Sequence, residues 1–262
     1  MKLESITPLV ITYNEEANLV RTLDRLDWAR QVLIVDSFST DTTLAIAARY
    51  PNVRVVQRAF DTLAAQCNFG LSEIATEWVL SLDADYVCGA GLAEELTSLP
   101  ERSDVAGYTA AFRYCIDGKA LRGNLYPQRT VLHRRRPTAY SQDGHAHRVA
   151  VDGPVGHLQT LLDHDDRKPL ERWLQAQQRY AMDEIRKLTT MSTSELRPID
   201  RLRRVGWLAP LLMPAYCLFA KQLILDGMAG MSYTLQRTYA EILLALMLAD
   251  YRIRDASAKV RQ

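Results

Sequence analysis

No Cys-x-x-Cys pair occurs in this chain of 262 residues, whose four cysteines, Cys67, Cys88, Cys115 and Cys217, are scattered. That spacing supports neither a zinc site nor a disulfide framework, and it fits a reducing cytoplasm. No Gly-x-Gly-x-x-Gly and no Gly-Lys-Ser/Thr follows the first predicted strand, which disfavours dinucleotide binding and P-loop phosphate cradling. A bilayer-spanning run is missing too: the uncharged stretch 205–220 has 16 residues and two prolines, short of the roughly 20 that a span needs. Residues 1–8 place an acid and a proline where a signal peptide needs its apolar core, so no export signal is expected.

What is present describes a folded chain. Charged residues make up 24% and hydrophobic residues 48%, which excludes global disorder and leaves enough apolar surface for one large domain or a domain with an appendage. The net charge of +1 conceals an asymmetry, because residues 1–166 hold 16 Lys/Arg against 22 Asp/Glu and residues 167–262 hold 16 against 9. The acidic part suits a metal, and the basic part suits an anionic surface or a phosphate-bearing substrate. No nucleic-acid partner is expected.

Leu9-Val10-Ile11-Thr12, Val32-Leu33-Ile34-Val35, Val53-Arg54-Val55-Val56 and Trp78-Val79-Leu80-Ser81-Leu82 read as strands, each preceded or followed by helical spacing, with a helix over 63–75. Continuous apolar strands alternating with helices predict a doubly wound parallel sheet. Three strand exits carry acidic and hydroxyl residues: Tyr13-Asn14-Glu15-Glu16, Asp36 to Asp41, and Asp83-Ala84-Asp85. In such a fold those exits share one edge, where ligands bind. Carboxylates at i and i+2 can turn toward one hard cation. The competing reading makes Asp83 a turn cap and leaves Asp85 solvated.

In this order, the three motifs look like those of the family 2 glycosyltransferases, and the chain is similar to the short bacterial members related to lipopolysaccharide-core and cell-surface polysaccharide transferases. The resemblance covers roughly residues 5–165. It implies an α/β GT-A fold, the nucleotide-diphospho-sugar transferase fold with a mostly parallel central sheet, and a C-terminal helical extension. The domains are then 1–168, catalytic, and 169–262, helical, partly apolar and basic. By the same resemblance Thr12, Tyr13, Asn14, Glu15, Asp36 and Ser37 hold the nucleoside, with Gln66, Asn68 and Ala84 also at the substrate. Asp83 and Asp85 hold Mg²⁺ or Mn²⁺ on the diphosphate of a UDP-sugar. Cys67 stands where a basic residue is frequent, and Tyr86 replaces an acidic one.

Strands are expected over 107–114 and 130–134. Arg134-Arg135-Arg136 is either a solvated run or a phosphate contact. Inverting transfer needs a base for the acceptor hydroxyl, and Asp143, beside the permissive Gly144, is the candidate; Asp143-Gly144 also reads as a hairpin turn. His145, His147 and Arg148 lie next to it as substrate contacts, His164 is a further one, and Arg148 or Arg122 is available to offset phosphate charge. His157 and His164 with Asp163, Asp165 and Asp166 suggest a rival His/Asp metal phosphohydrolase. A nucleotidyltransferase would share the nucleotide-binding α/β sheet, and a membrane-docked nucleotide-sugar binding module would use it without catalysis.

A helix is expected over 170–188. Arg201, Arg203 and Arg204 precede the apolar run 205–220, a combination suited to an interfacial helix on anionic headgroups. The enzyme would then work on a glycan or glycolipid acceptor as a peripheral protein at the cytoplasmic face of the cell membrane. Packing on the catalytic domain, or on a second copy in a homodimer, would cover these helices equally well.

Overall fold

The computed structural model describes the chain except residues 101–103, 137, 144, 145, 261 and 262, and except the side chains of residues 143, 146, 147, 259 and 260. Two compact units divide it: residues 1–120 with 125–168, and residues 121–124 with 169–262.

The first unit begins with the expected alternation: β1 (Ile6–Thr12), α1 (Leu19–Leu23), β2 (Val32–Asp36), α2 (Thr43–Ala47), β3 (Val53–Gln57), α3 (Leu63–Glu73) and β4 (Trp78–Asp83). β2 is buried along its whole length, which is why its sequence is a continuous apolar run. Successive side chains serve opposite layers. Ile6, Val10 and Ile34 pack with α1 and α2 residues such as Leu19 and Ile46, while Leu9, Leu33 and Val35 pack with Ala64, Cys67 and Leu71 of α3. Gly70 lets α3 seat this closely: a Cβ there would stand 2.5 Å from Leu9 Cδ1 and 3.2 Å from Val35 Cγ2.

After β4 come β5 (Tyr86–Cys88), α4 (Leu92–Ser98), β6 (Gly107–Ala110), β7 (Phe112–Ile116), β8 (Lys119–Ala120), β9 (Arg129–Arg134), β10 (Ala139–Asp143), β11 (Ala146–Ala150), β12 (Val155–His157) and β13 (Leu162–His164). The large sheet has the order β12-β6-β9-β4-β1-β2-β3. All its pairings are parallel except those of β9, which runs against both neighbours. β1 lies between β2 and β4, so strand order reverses there, at the kind of switch point where open sheets bind ligands. Register fixes what meets at that edge: Thr12 pairs with Asp36 and Ile11 with Asp83. On the far side of β4, Trp78 pairs with Arg134 and Leu80 with Leu132, so the start of β9, at Arg129, lies toward the same edge as Asp83.

The single strand expected over 107–114 breaks at Ala111. β6 belongs to the large sheet and β7 to a four-stranded sheet of order β5-β13-β7-β8. Residues leading into β13 cross both, with Leu158 donating its N–H to Thr109 O (2.8 Å) and Leu162 to Ala111 O (3.1 Å). β10 and β11 form an antiparallel hairpin, tied to α3 through the bonds between Asn68 and the Tyr140 backbone.

In the second unit, α5 (Leu170–Thr190), α6 (Pro198–Val205) and α7 (Leu208–Ala215) precede a π-helical turn (Tyr216–Ala220), a 3-10 turn (Leu223–Asp226) and α8 (Met228–Val260). Ala181, Ile185 and Leu188 of α5 pack with Leu196 and with Leu244 and Leu248 of α8. Ion pairs accompany that core. Asp200, wholly buried, accepts from Arg197 at 2.9 Å and lies 3.1 Å from Lys187 Nζ. Arg203 Nε meets both carboxylate oxygens of Glu241, at 3.0 and 3.1 Å, and Arg204 bonds Thr193 Oγ1 at 3.0 Å. The three arginines expected to face an anionic surface are therefore engaged inside the unit: Arg201 Nε donates to Leu196 O at 2.9 Å, Glu241 of α8 meets Arg203, and Thr193 of the loop before α6 meets Arg204. Among the described residues no helix is long and apolar enough to cross a membrane.

Candidate active site

At the exits of β1 and β2 a buried hydrogen-bond network shapes the loop. Asp36, wholly buried, accepts from Thr12 Oγ1 (2.9 Å), Ser39 N (2.9 Å), Ser39 Oγ (2.5 Å) and Gln57 Nε2 (3.2 Å). Those four bonds fill a carboxylate's acceptor sites, so Asp36, expected to hold base or ribose, instead organises the loop. Ser37 is likewise engaged: its Oγ accepts from Gln66 Nε2 at 2.8 Å. Gln66 is itself fully buried and also bonds the Arg58 carbonyl and guanidinium, at 2.9 and 3.0 Å. Asn68 pairs with the Tyr140 backbone in both directions, 2.9 Å each. Both amides brace the site's walls, having found complementary partners that sequence spacing does not reveal.

The surface of this loop is aromatic. Tyr13 and Phe38 are each 53% exposed, and both Asn14 (φ 54°) and Phe38 (φ 61°) adopt left-handed backbone. Asn14 tolerates it and uses its Oδ1 to accept the Thr40 N–H at 2.7 Å. For a bulky residue the conformation is strained, and such strain collects at ligand sites. Phe38 is not among the residues that the sequence marks for the site.

At the exit of β4, Ala84 is buried and its carbonyl accepts from Thr22 Oγ1 at 2.6 Å, while the two carboxylates behave differently. Asp85 Oδ2 lies 3.2 Å from His164 Nε2; Asp85 Oδ1 and His164 Nδ1 are buried with no hydrogen-bond partner. Burial alone would lower the His164 pKa, but the Asp85 carboxylate outweighs it and holds the imidazole above its ordinary value. Burial works against Asp85 too, and His164 holds it below the usual carboxylate range. An aromatic cage surrounds the ring, with Tyr126 at 4.6 Å, Tyr114 at 4.7 Å and Tyr86 at 5.4 Å between centroids. Tyr86 is buried, packed on Phe112 at 4.7 Å and hydrogen-bonded to Tyr126.

The acidic segment after His164 folds back onto the β1 exit. Lys168 Nζ lies 2.7 Å from Glu15 Oε1, and Asn18 bonds Glu15 and Asp166 at 2.9 and 2.8 Å. Burial, with Asp85 adding and Lys168 opposing, pushes the Glu15 pKa to about 7. Lys168 is held above its ordinary value although burial opposes, chiefly by Glu15. In the sequence Lys168 is one member of a charged loop, and nothing there points to its partner at the exit of β1.

Asp83 differs from Asp85 in lining a small open pocket together with Ser81, Tyr86, Arg129, Thr130 and Val131. Among the described residues its carboxylate has no hydrogen bond or ion pair. A free carboxylate and an orphaned buried oxygen on the next-but-one residue are the hard donors a divalent cation takes. No group of three or more His, Cys, Asp or Glu is arranged to hold a metal among the described residues.

The remaining candidates are dispersed. Gly144 and His145 lie outside the described residues, as do the side chains of Asp143 and His147; Asp143 closes β10. Arg148 is exposed on β11, and Arg122, 61% exposed, has its Nε 3.5 Å from Asp226. Arg134 lies over the Trp78 ring at 4.7 Å, at the end of β4 opposite Asp83, which removes it as a phosphate contact. The phosphohydrolase ligand set is dismantled: His157 bonds Thr109 at 2.6 Å, Asp163 holds Arg113 at 2.6 and 2.8 Å, and Asp165 holds Arg167 at 2.8 Å.

Against known proteins, residues 8–154, more than half of the chain, match the profile of Glycosyl transferase family 2. The chain belongs to that family. Among relatives of this family 2 chain, the lipopolysaccharide core biosynthesis glycosyltransferase LpsC of Rhizobium meliloti is 29% identical over 163 residues, 59% of this chain and 60% of that protein. An uncharacterized glycosyltransferase of Rickettsia felis is 32% identical over 95 residues, 36% of this chain and 33% of that protein. The chain thus spans about 60% and a third of these relatives' lengths. S. aureus TarS 1-349 crystallised with UDP superposes with a TM-score of 0.50 at 13% identity, over 96% of this chain and 91% of that one. Its complex with UDP-GlcNAc gives a TM-score of 0.50 at 13% identity, over 94% and 91%. These likenesses carry the fold: the first unit is the family's GT-A α/β sheet.

Proposed function

We propose that this protein is an inverting glycosyltransferase that moves a sugar from a nucleoside-diphosphate sugar, a UDP-sugar, to a lipid-linked or cell-surface glycan. The observation that carries the reading is the unengaged Asp83 carboxylate beside the orphaned Asp85 oxygen, at the switch point of a family 2 sheet. The nucleoside lies over the exits of β1 and β2, with Tyr13 and Phe38 as stacking surfaces and Asp36, Ser37 and Gln66 holding their loop. Asp83 and Asp85 hold Mg²⁺ or Mn²⁺, which when bound offsets the charge of the leaving diphosphate. His164 fixes the Asp85 carboxylate. As the acceptor oxygen bonds to the anomeric carbon, the old C–O bond breaks with its electron pair leaving on the diphosphate, and Asp143 takes the acceptor proton.

The name of one relative, a lipopolysaccharide core biosynthesis glycosyltransferase, supports a glycan acceptor. Peripheral attachment draws support from the second unit, where Trp207, Leu211 and Phe219 are 65%, 67% and 67% exposed; a homodimer through the same face is the competing use of it.

A thermal-shift screen of nucleotide sugars with Mg²⁺, Mn²⁺ or EDTA tests the central claim on wild type and Asp83→Asn. UDP-sugars are expected to stabilise the wild type more with metal than in EDTA, and the variant is expected to lose that metal-dependent gain. Equal responses in the two proteins would sink the metal assignment, and no response to any donor would sink the function.

A further inference from the structure

Asp83 at the end of β4 and Arg129 at the start of β9 carry opposite charges and line one pocket, yet neither makes a hydrogen bond or an ion pair among the described residues. Two such groups on adjacent strands ordinarily close on each other. Here the guanidinium is held elsewhere, 5.1 Å from the centroid of the Tyr126 ring. Tyr126 is itself fixed by its hydroxyl contact with Tyr86 and by ring contacts with Phe112 at 5.0 Å and His164 at 4.6 Å. Both charges open into the same cavity, with Ser81 and Thr130.

We propose that Arg129 is a second anchor for the donor's diphosphate, gripping the phosphate oxygens on the side of β4 away from the nucleoside. The inference rests on the nucleotide-sugar reading and names a residue that reading does not need. The edge of the sheet presents, in order, Asp36 of β2, Thr12 of β1, Asp83 of β4 and Arg129 of β9. A nucleoside over β1 and β2 sends its diphosphate across β4, and the terminal phosphate then arrives at β9. There a planar guanidinium can donate two parallel N–H bonds to phosphate oxygens, a geometry that Lys cannot reproduce. Stacking on Tyr126 holds the group in place, so little side-chain freedom is lost on binding. With a donor bound, the carboxylate would face the cation and the guanidinium the phosphate, so the two charges would serve different partners.

Titration calorimetry of the full chain with UDP and with UMP, in Mg²⁺ and in EDTA, provides the test on wild type, Arg129→Ala and Arg129→Lys. Arg129→Ala is expected to lose on the order of 10- to 100-fold in UDP affinity, as for a charged hydrogen-bonded contact, while UMP binding stays within about threefold. In EDTA the wild type should still prefer UDP to UMP, and Arg129→Ala should not. Arg129→Lys should recover part of the preference, and it serves as the readout if the alanine variant does not fold. An unchanged UDP-to-UMP ratio in the variants overturns the role of Arg129 and leaves the nucleotide-sugar reading standing. Equal loss of both nucleotides overturns it as well, because that marks a distorted nucleoside site. A wild type that binds neither nucleotide removes the underlying reading, and the anchor with it.

Discussion

Asp85 Oδ2 and His164 Nε2 lie 3.2 Å apart, joining the exit of β4 to the end of β13. Each group also keeps one buried atom without a hydrogen-bond partner, so the pair is closed on one side only. Removing one partner of a buried ion pair leaves a charge that its surroundings cannot solvate, at a cost of about 3 kcal/mol. Urea denaturation of His164→Gln should show a loss of that order, and Asp85→Asn combined with His164→Gln should recover a large part of it. Additive losses in the double variant would mean that the two residues act independently.

Gly70 is predicted to be a packing glycine. Its helix sits on Leu9 and Val35 with no room for a methyl group, and Leu9 is fully buried. Gly70→Ala should therefore destabilise the first unit by about 1–3 kcal/mol, the usual range for overpacking, although alanine favours helix. Leu9→Val in the same chain should restore part of the loss. A more stable Gly70→Ala, as helix propensity alone would give, would contradict the packing account.

His133 predicts how stability responds to acid. It is fully buried on β9, its Nε2 lies 2.7 Å from Tyr140 Oη, and burial pushes its pKa down to about 4. The unfolded chain therefore takes up this proton first as pH falls. The stability that neutral His133 contributes is complete above about pH 6.5 and is lost as pH drops toward 4, on the order of 3 kcal/mol for this group alone. NMR titration should find the His133 imidazole still neutral at pH 5. Protonation near pH 6.5 in the folded protein would refute the prediction.

Phe38 should trade stability against binding. Its left-handed backbone (φ 61°) and exposed ring give Phe38→Gly a gain of about 1 kcal/mol in stability through relief of strain. The same change should weaken UDP binding by removing a stacking face. Unaltered affinity would assign the ring another purpose.

Much of this architecture is readable from residue order. A strand covered on both faces writes itself as a run such as Val32-Leu33-Ile34-Val35, and two of the four runs end in a carboxylate, Asp36 for β2 and Asp83 for β4. Local pattern thus locates both the sheet and its active edge. It does not say which carboxylate is engaged, because that depends on pairings distant in sequence. Asp36 looks free in the sequence and is saturated in the fold; Asp85 looks solvated or metal-facing and has His164 beside it. Lys168 sits in a charged loop and reaches Glu15. Arg129 stands just ahead of a predicted strand, and only the antiparallel pairing of β9 with β4 brings it to the pocket that Asp83 lines. The segment 107–114 misleads for a related reason: its alternation suits a strand, but a change of sheet at Ala111 leaves no mark in a period of two.

The reversed direction of β9 bears on how such a site can diversify. Where β1, β2 and β4 deliver their last residues to the shared edge, β9 delivers its first. A substitution or insertion just ahead of Arg129 therefore reaches the edge without crossing a single buried rung. Changes at the exposed Pro127 and Gln128 would alter that end of the cleft while leaving the rungs of the sheet in place.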